Sequence, residues 1–277
     1  MRHTDFFLFF VFVFLFCGNI KSQNIITIGF DAGAGYSNAT AKITDQLTEH
    51  STKGGILPDF GVSCLYYVDK TYGFTSGLHL ISFHQETSGK DYYNAFDAID
   101  TDNKPYERRI WGSSISENLS LHLINIPLHF FYKYSFSRNM NLFVTFGPGI
   151  SIPVVRNFSG SGTFTYKGYY SDSGVLLFDI PVYGYNSNVS VNKTQKLNTP
   201  LAIVTASANV GIAFAMNRYY SFVVSAGYFR SLSRVAKNNN SHSLSNDIGS
   251  FNSFLSAEKT VLSNVSISIG ITKDILF

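Results

Sequence analysis

The sequence predicts an all-β fold: a closed antiparallel up-and-down transmembrane β-barrel of about eight strands, residues 23–277, behind an export segment, residues 1–22. Three observations predict it. Apolar residues recur at every second position in one segment after another. The connections between those segments alternate between short and long. The faces opposite the apolar ones carry Gly, Ser, Thr and Asn rather than charge.

Composition bounds the class. The chain has 277 residues, 45% hydrophobic and 14% charged, against about a quarter charged in soluble domains. Seventeen Tyr, 26 Phe and 22 Gly stand in for the missing charge, a mixture too apolar for disorder and suited to strands. The net charge is +3 with no basic stripe, so a nucleic-acid partner has no electrostatic basis. Of the two cysteines, Cys17 lies in the export segment, and Cys64 alone can form no internal disulfide, redox pair or Cys–Cys metal site.

The first 22 residues read as a signal peptide. Arg2 gives the positive start, and Phe6 to Cys17 form an apolar run too short for a membrane-spanning helix, which needs about 20 residues. Ser22 suits the position before cleavage and Ile20 does not. Lipid attachment at Cys17 is the alternative, opposed by Phe16 where a small residue is wanted.

The strands follow in order. In the first, Ile26, Ile28, Phe30 and Ala32 share one face and Thr27, Gly29, Asp31 and Gly33 the other. Six more are expected at 58–68, 73–85, 119–134, 142–153, 201–216 and 219–232. Within 201–216, Val204, Ala206, Ala208, Val210, Ile212 and Phe214 are expected outside, with Thr205, Ser207, Asn209, Gly211 and Ala213 inside. The strand at 119–134 loses phase near Leu123-Ile124, which predicts a β-bulge. Val265 to Ile271 form the last strand. Segments 37–57, 86–118, 154–200 and 233–260 read as long polar loops, and 69–72, 135–141 and 217–218 as tight turns. An outer-membrane barrel has this asymmetry, with short turns in the periplasm and long loops outside.

Either side of such a strand could face the solvent. A soluble lipocalin-like carrier would enclose the apolar face, whereas a membrane barrel turns it to lipid. The small uncharged residues opposite make a poor water-facing exterior and suit the crowded lumen of a narrow barrel. Closure follows as well, because an unpaired strand edge in hydrocarbon costs several kcal/mol per orphan backbone group.

At the C-terminus, Phe277 with Ile275, Ile271, Ile269 and Ile267 at alternate positions resembles the signal read by the barrel assembly machinery, with Lys273 breaking the series. Other phrases resemble the PorT-like outer-membrane β-barrel family. They are Tyr72-Gly73-Phe74-Thr75-Ser76-Gly77-Leu78, Ile124-Asn125-Ile126-Pro127-Leu128, Lys133-Tyr134, Phe146-Gly147-Pro148 and Ala226-Gly227-Tyr228. Asn125 stands where that family commonly has an acid, and Lys133-Tyr134 comes about two residues late. The resemblance implies an eight-stranded barrel in a bacterial outer membrane and no catalytic residues.

Function is expected to be non-enzymatic, structural or surface-binding through the long extracellular loops, without a wide pore. Outer-membrane lipid is the surrounding partner, and a protein partner at the loops is compatible with this reading. No residue is assigned to catalysis, cofactor or metal. Asp31-Ala32-Gly33-Ala34-Gly35 lies in a strand and is no phosphate loop. The alternative, an outer-membrane hydrolase acting on lipid or peptide, would need His84 and Glu86 to converge with Asp91, Asp97 or Asp100. His129 and Asn125 are expected inside, bonded to Asp31 or Asn209. In 154–200, Tyr166, Tyr169, Tyr170, Tyr183 and Tyr185 read either as a binding surface on a hairpin above the membrane or as an interfacial girdle. If the strand-like runs at 163–169 and 175–184 crossed the membrane, the barrel would have ten strands. Asn-x-Ser/Thr triplets at Asn118, Asn157, Asn188 and Asn192 are chance matches in a chain so rich in these residues.

Overall fold

A computed structural model describes residues 25–41, 47–235 and 260–276. The export segment, the Cys17 question and Phe277 lie outside these residues. The elements are β1 (Ile25–Ala41), β2 (Leu47–Tyr67), β3 (Tyr72–Ile99), β4 (Pro105–Ser135), β5 (Met140–Tyr170), β6 (Val175–Leu177), a 3-10 turn (Pro181–Tyr183), β7 (Val189–Lys196), β8 (Ile203–Ala215), β9 (Tyr220–Ser231) and β10 (Thr260–Leu276).

All pairings among these strands are antiparallel. The order β4-β3-β2-β1-β10-β9-β8-β5 closes through the β4–β5 pairing, so eight strands form the ring. β6 and β7 pair with the upper part of β5 and stay out of the ring, which decides eight strands against ten. Closure leaves no strand edge at membrane depth, the condition hydrocarbon imposes.

The short turns fall at 68–71, 136–139 and 216–219. In the last of these the Asn217 side chain accepts from the backbone N–H of Tyr219 and of Tyr220, each at 2.9 Å, an Asx-type stop. The exposed Tyr72, Tyr132, Tyr134, Tyr219 and Tyr220 ring this end, as aromatics do at a membrane interface.

Between the turns and the midpoint of the molecule, the side chains point as the alternation predicts. Val265, Ile267, Ile269 and Ile271 of β10 are 50–66% exposed on the outer wall, and Leu142, Val144 and Phe146 of β5 continue the band. Thr27, Gly29 and Asp31 of β1 and Ser207, Asn209 and Ala213 of β8 line the lumen. The apolar-out arrangement excludes the soluble carrier, whose exterior must be wetted.

At Gly147 the strands approach so closely that a Cβ would stand 2.2 Å from the Leu128 carbonyl oxygen on β4. Only glycine fits that contact.

Of the segments read as long polar loops, 37–57, 86–118 and 154–200 are largely strand where described, and 233–260 lies almost wholly outside the described residues. β3 runs for 28 residues and β4 and β5 for 31 each, roughly 20 more than the 9–11 a bilayer requires. The extra length forms an extension beyond the membrane, in which β2, β3, β4, β5 and β7 pair side by side. Its sequence hides this because one face meets water and carries Ser, Asn and charge.

The predicted β-bulge occurs at the expected level, on the partner strand. Between β4 and β5 the register shifts at His122/Leu123, but the extra residue is Val154 of β5. On β4 the alternation continues unbroken, with Leu119, Leu121, Leu123, Asn125 and His129 all buried. The phase loss in the sequence is a change of solvent. Up to Leu123 the apolar residues point inward, and from Ile124 to Leu128 they point outward.

Candidate functional site

Two places gather side chains of functional interest: the lumen of the ring and the far end of the extension.

The lumen encloses about 260 Å³. Adjacent strands set Asp31, Gly61, His79 and Asn125 in one register row. A Cβ at Gly61 would lie 2.3 Å from His79 Nδ1 and 2.6 Å from an Asp31 carboxylate oxygen, so the bare glycine lets the two meet at 4.0 Å. Asn125 Oδ1 accepts from the Ser151 hydroxyl at 2.9 Å and the Thr205 hydroxyl at 3.2 Å. His129 Nε2 lies 2.8 Å from the Ser207 hydroxyl. Both residues are therefore inside, as expected, but their partners are hydroxyls rather than Asp31 or Asn209. Asn209 Nδ2 donates instead to Thr145 at 3.0 Å, and Asn264 Nδ2 to Asp59 at 3.3 Å. Gly61 was invisible as a site residue because it contributes only the space it leaves.

Above this polar layer the interior becomes apolar. Ile81, Phe83, Leu121, Leu123, Phe229 and Leu262 belong to one buried cluster, with the Phe83 and Phe229 rings 5.8 Å apart. They lie across the lumen as a plug. Burying each such side chain contributes about 1.5–3 kcal/mol.

The hydrolase set does not assemble. His84 and Glu86 form an exposed pair at 3.7 Å midway along β3, while Asp97 and Asp100 sit 13 and 16 residues beyond His84, at the end of the same strand and in its turn. Asp100 organises that turn. Its side chain accepts from the N–H of Asp102 at 2.9 Å and of Lys104 at 2.8 Å, and from the Tyr170 hydroxyl at 2.9 Å. The Lys104 N–H, foremost, holds its carboxyl below the usual carboxylate range. No group of three or more His, Cys, Asp or Glu among the described residues is arranged to hold a metal.

The five tyrosines of 154–200 divide between two faces of the extension. Tyr166 and Tyr185 are buried, the first beside Phe164 and the second against Tyr106 at 5.8 Å. Burial, foremost, pushes the Tyr185 hydroxyl's pKa up. Tyr170 stacks on Tyr106 at 5.4 Å and reaches the Tyr185 hydroxyl at 3.1 Å. Tyr169 carries the Arg109 guanidinium over its ring at 4.2 Å, and Tyr183 is exposed.

The outer face gains residues the sequence had not marked. Tyr93 and Trp111 pair at 5.2 Å, and Lys167 lies over Trp111 at 4.9 Å and Phe178 at 5.7 Å. Arg109 also pairs with Glu107. Strand positions 93, 109, 111 and 167 share this face only through inter-strand register, which no local pattern announces.

A closed ring with an apolar wall, a polar lumen, an interfacial tyrosine belt and strands lengthened at one end defines an integral outer-membrane β-barrel protein. The chain belongs to the family described as outer membrane protein beta-barrel domain, whose model matches residues 21–237. No curated protein matches it. Among solved structures it is similar to the outer membrane protein OprG from Pseudomonas aeruginosa, at 9% identity over 93% of this chain and 98% of that one, TM-score 0.43. It is similar also to neisserial surface protein A, NspA, at 9% identity over 91% and 97%, TM-score 0.36. A third is Ail, the attachment invasion locus protein of Yersinia pestis, at 8% identity over 90% and 98%, TM-score 0.32. The short-turn end of such a barrel faces the periplasm and the extension faces outward.

Proposed function

We propose that this protein is a surface-binding barrel without a wide pore, in which the ring is an anchor and the extension carries recognition. One observation supports this above the others: the extension has a buried core, continuous with the apolar plug below it. Tyr92, Ile110, Leu119, Phe158, Phe164 and Tyr166 are buried in it, so it presents a rigid face rather than a set of loops. Rigidity spares the ordering cost that flexible loops incur on binding. Tyr93, Trp111, Tyr169 and Phe178 occupy its outer face, residue types enriched at interfaces. The test compares cells displaying the intact barrel with cells whose 95–109 hairpin tip is replaced by a tight turn, on arrays of glycans and matrix proteins. Equal binding by both would reject recognition by the extension.

The second reading, a small polar channel, draws on the hydrophilic lumen. The apolar plug favours a closed barrel, and a steady conductance in planar bilayers would reverse that choice. An enzymatic role is not part of the proposal. We propose that the chain, within its family, is a PorT-like barrel. In support, the matching phrases lie side by side, with Pro127 opposite Gly149 and the Ser76 hydroxyl donating to the Pro127 carbonyl at 2.7 Å. We also assign engagement of the barrel assembly machinery to β10 and Phe277, supported by Ile267, Ile269 and Ile271 on the lipid side. Residues 1–22 are proposed as the cleaved export segment.

A further inference from the structure

Arg109 on β4 and Lys167 on β5 stand directly opposite one another in register, on the outer face of the extension. Like charges placed so destabilise a strand pair. Arg109 pairs with Glu107 and lies over the Tyr169 ring at 4.2 Å. Lys167 lies over Trp111 at 4.9 Å and Phe178 at 5.7 Å, and none of the ion pairs among the described residues includes it. Tyr93 packs on Trp111 at 5.2 Å. These contacts and the shared row join the group into one patch, with the Tyr93 and Phe178 rings exposed and 27% of the Arg109 side chain open to water.

The patch stands clear of its own bilayer. Tyr93 lies 13 residues beyond Leu80, which is exposed on the lipid-facing wall, so the patch is about 40 Å further along β3. A peptide would find no strand edge to join there, because β4 is paired on both sides from Glu107 to Gly112 and its backbone is spent in the ladder. The next row toward the tip sets Asp97 opposite Glu107 and Glu107 opposite Tyr169. The face therefore offers two cations held over rings, with two carboxylates one row away. A ligand for it must bring an anion for the cation pair and its own hydrogen-bonding groups for the acids.

We infer that Arg109 and Lys167, framed by Trp111, Tyr169 and Phe178, bind a carboxylate of an acidic polysaccharide, a ligand class that rests on the extension being the recognition element. A carboxylate between the two cations relieves their repulsion and takes two parallel hydrogen bonds from the guanidinium fork. Glu107 and Asp97, one row on, accept from the sugar hydroxyls. The aromatic rings hold both cations in place before the ligand arrives, so little side-chain freedom is lost on binding.

The test titrates polygalacturonate into the full barrel in nanodiscs by isothermal calorimetry, with dextran as the neutral sugar and polyglutamate as the acidic peptide. Polygalacturonate is expected to bind about tenfold more tightly than either. Arg109→Gln and Lys167→Gln should each weaken it about tenfold, and the two together should abolish it. Lys53→Gln with Lys196→Gln removes the same charge from β2 and β7 and should leave binding unchanged. Heat-modifiable mobility and resistance of the extension to limited proteolysis confirm that each variant is folded. Undiminished binding by the Arg109→Gln, Lys167→Gln variant, equal binding of dextran or polyglutamate, or no binding of polygalacturonate overturns the site. The array comparison of intact and 95–109-replaced barrels is separate. A different ligand lost with that hairpin would keep the extension as the recognition element while the acidic polysaccharide falls.

Discussion

The membrane ring and the extension are built from the same strands, yet they obey opposite rules. On β4, Leu119, Leu121 and Leu123 point inward, and three and five residues after Leu123, Ile126 and Leu128 point outward, while the alternation from 119 to 129 does not break. The difference is the solvent. Water surrounds the extension, so its apolar side chains leave the surface and collect around Phe158 and Phe164. Acyl chains surround the ring, so nothing drives apolar groups inward, and the lumen is left to hydroxyls, amides and a few charges. A single strand can serve both environments because its two faces are independent and its period is two.

The comparison can be broken most forcefully from the extension. Phe164→Ala should cost about 3–5 kcal/mol by leaving a cavity among its buried side chains. Limited proteolysis should then cut the extension while the ring keeps its heat-modifiable mobility, and loss of the ring as well would show that the two halves fold as one unit. Next, Ile269→Lys places a charge on the lipid-facing wall and should cost about 2–4 kcal/mol in urea titrations in lipid. The same residue introduced by Asn118→Lys, on the watered face opposite Glu86, should change stability by no more than about 0.5 kcal/mol. Equal costs at the two positions would defeat the assignment of solvents.

Within the lumen, Asn125→Ala removes the acceptor for Ser151 and Thr205 and should cost about 1–3 kcal/mol by the same titration. The smallest effect is expected at the tip. Backbone N–H groups lower the Asp100 carboxyl below its usual value, so the stability it lends is present above the ordinary carboxylate range and lost as pH falls through its folded value. Amide exchange around 100–104 should speed on acidification, and Asp100→Asn should remove the dependence. A response shared by the ring strands would contradict a local origin.

Much of the ring was legible because lipid on one side and a small-residue lumen on the other leave a two-residue signature. The first strand, the 201–216 strand and Val265 to Ile271 all face as their alternation predicts. The extension was not legible as strand. Segments 86–118 and 154–200 alternate apolar with polar only intermittently, their bulges shift the phase, and Ser114 and Asp91 take positive φ. Tyr166 and Tyr185 looked like surface residues and are core, because tyrosine serves either place and only packing chooses. Gly61 could not be found at all without its neighbours Asp31 and His79.

The sequence by itself determined the strand period, the positions of the short turns at one end and the sidedness of the ring, since each is a local property of successive residues in a given solvent. Tertiary structure alone decided that β6 and β7 stay outside the ring, that His129 bonds Ser207, and that Tyr93, Trp111, Arg109 and Lys167 share one face. Those outcomes depend on inter-strand register. Register is set by the sum of many cross-strand contacts between residues far apart in the chain, so no single segment carries it.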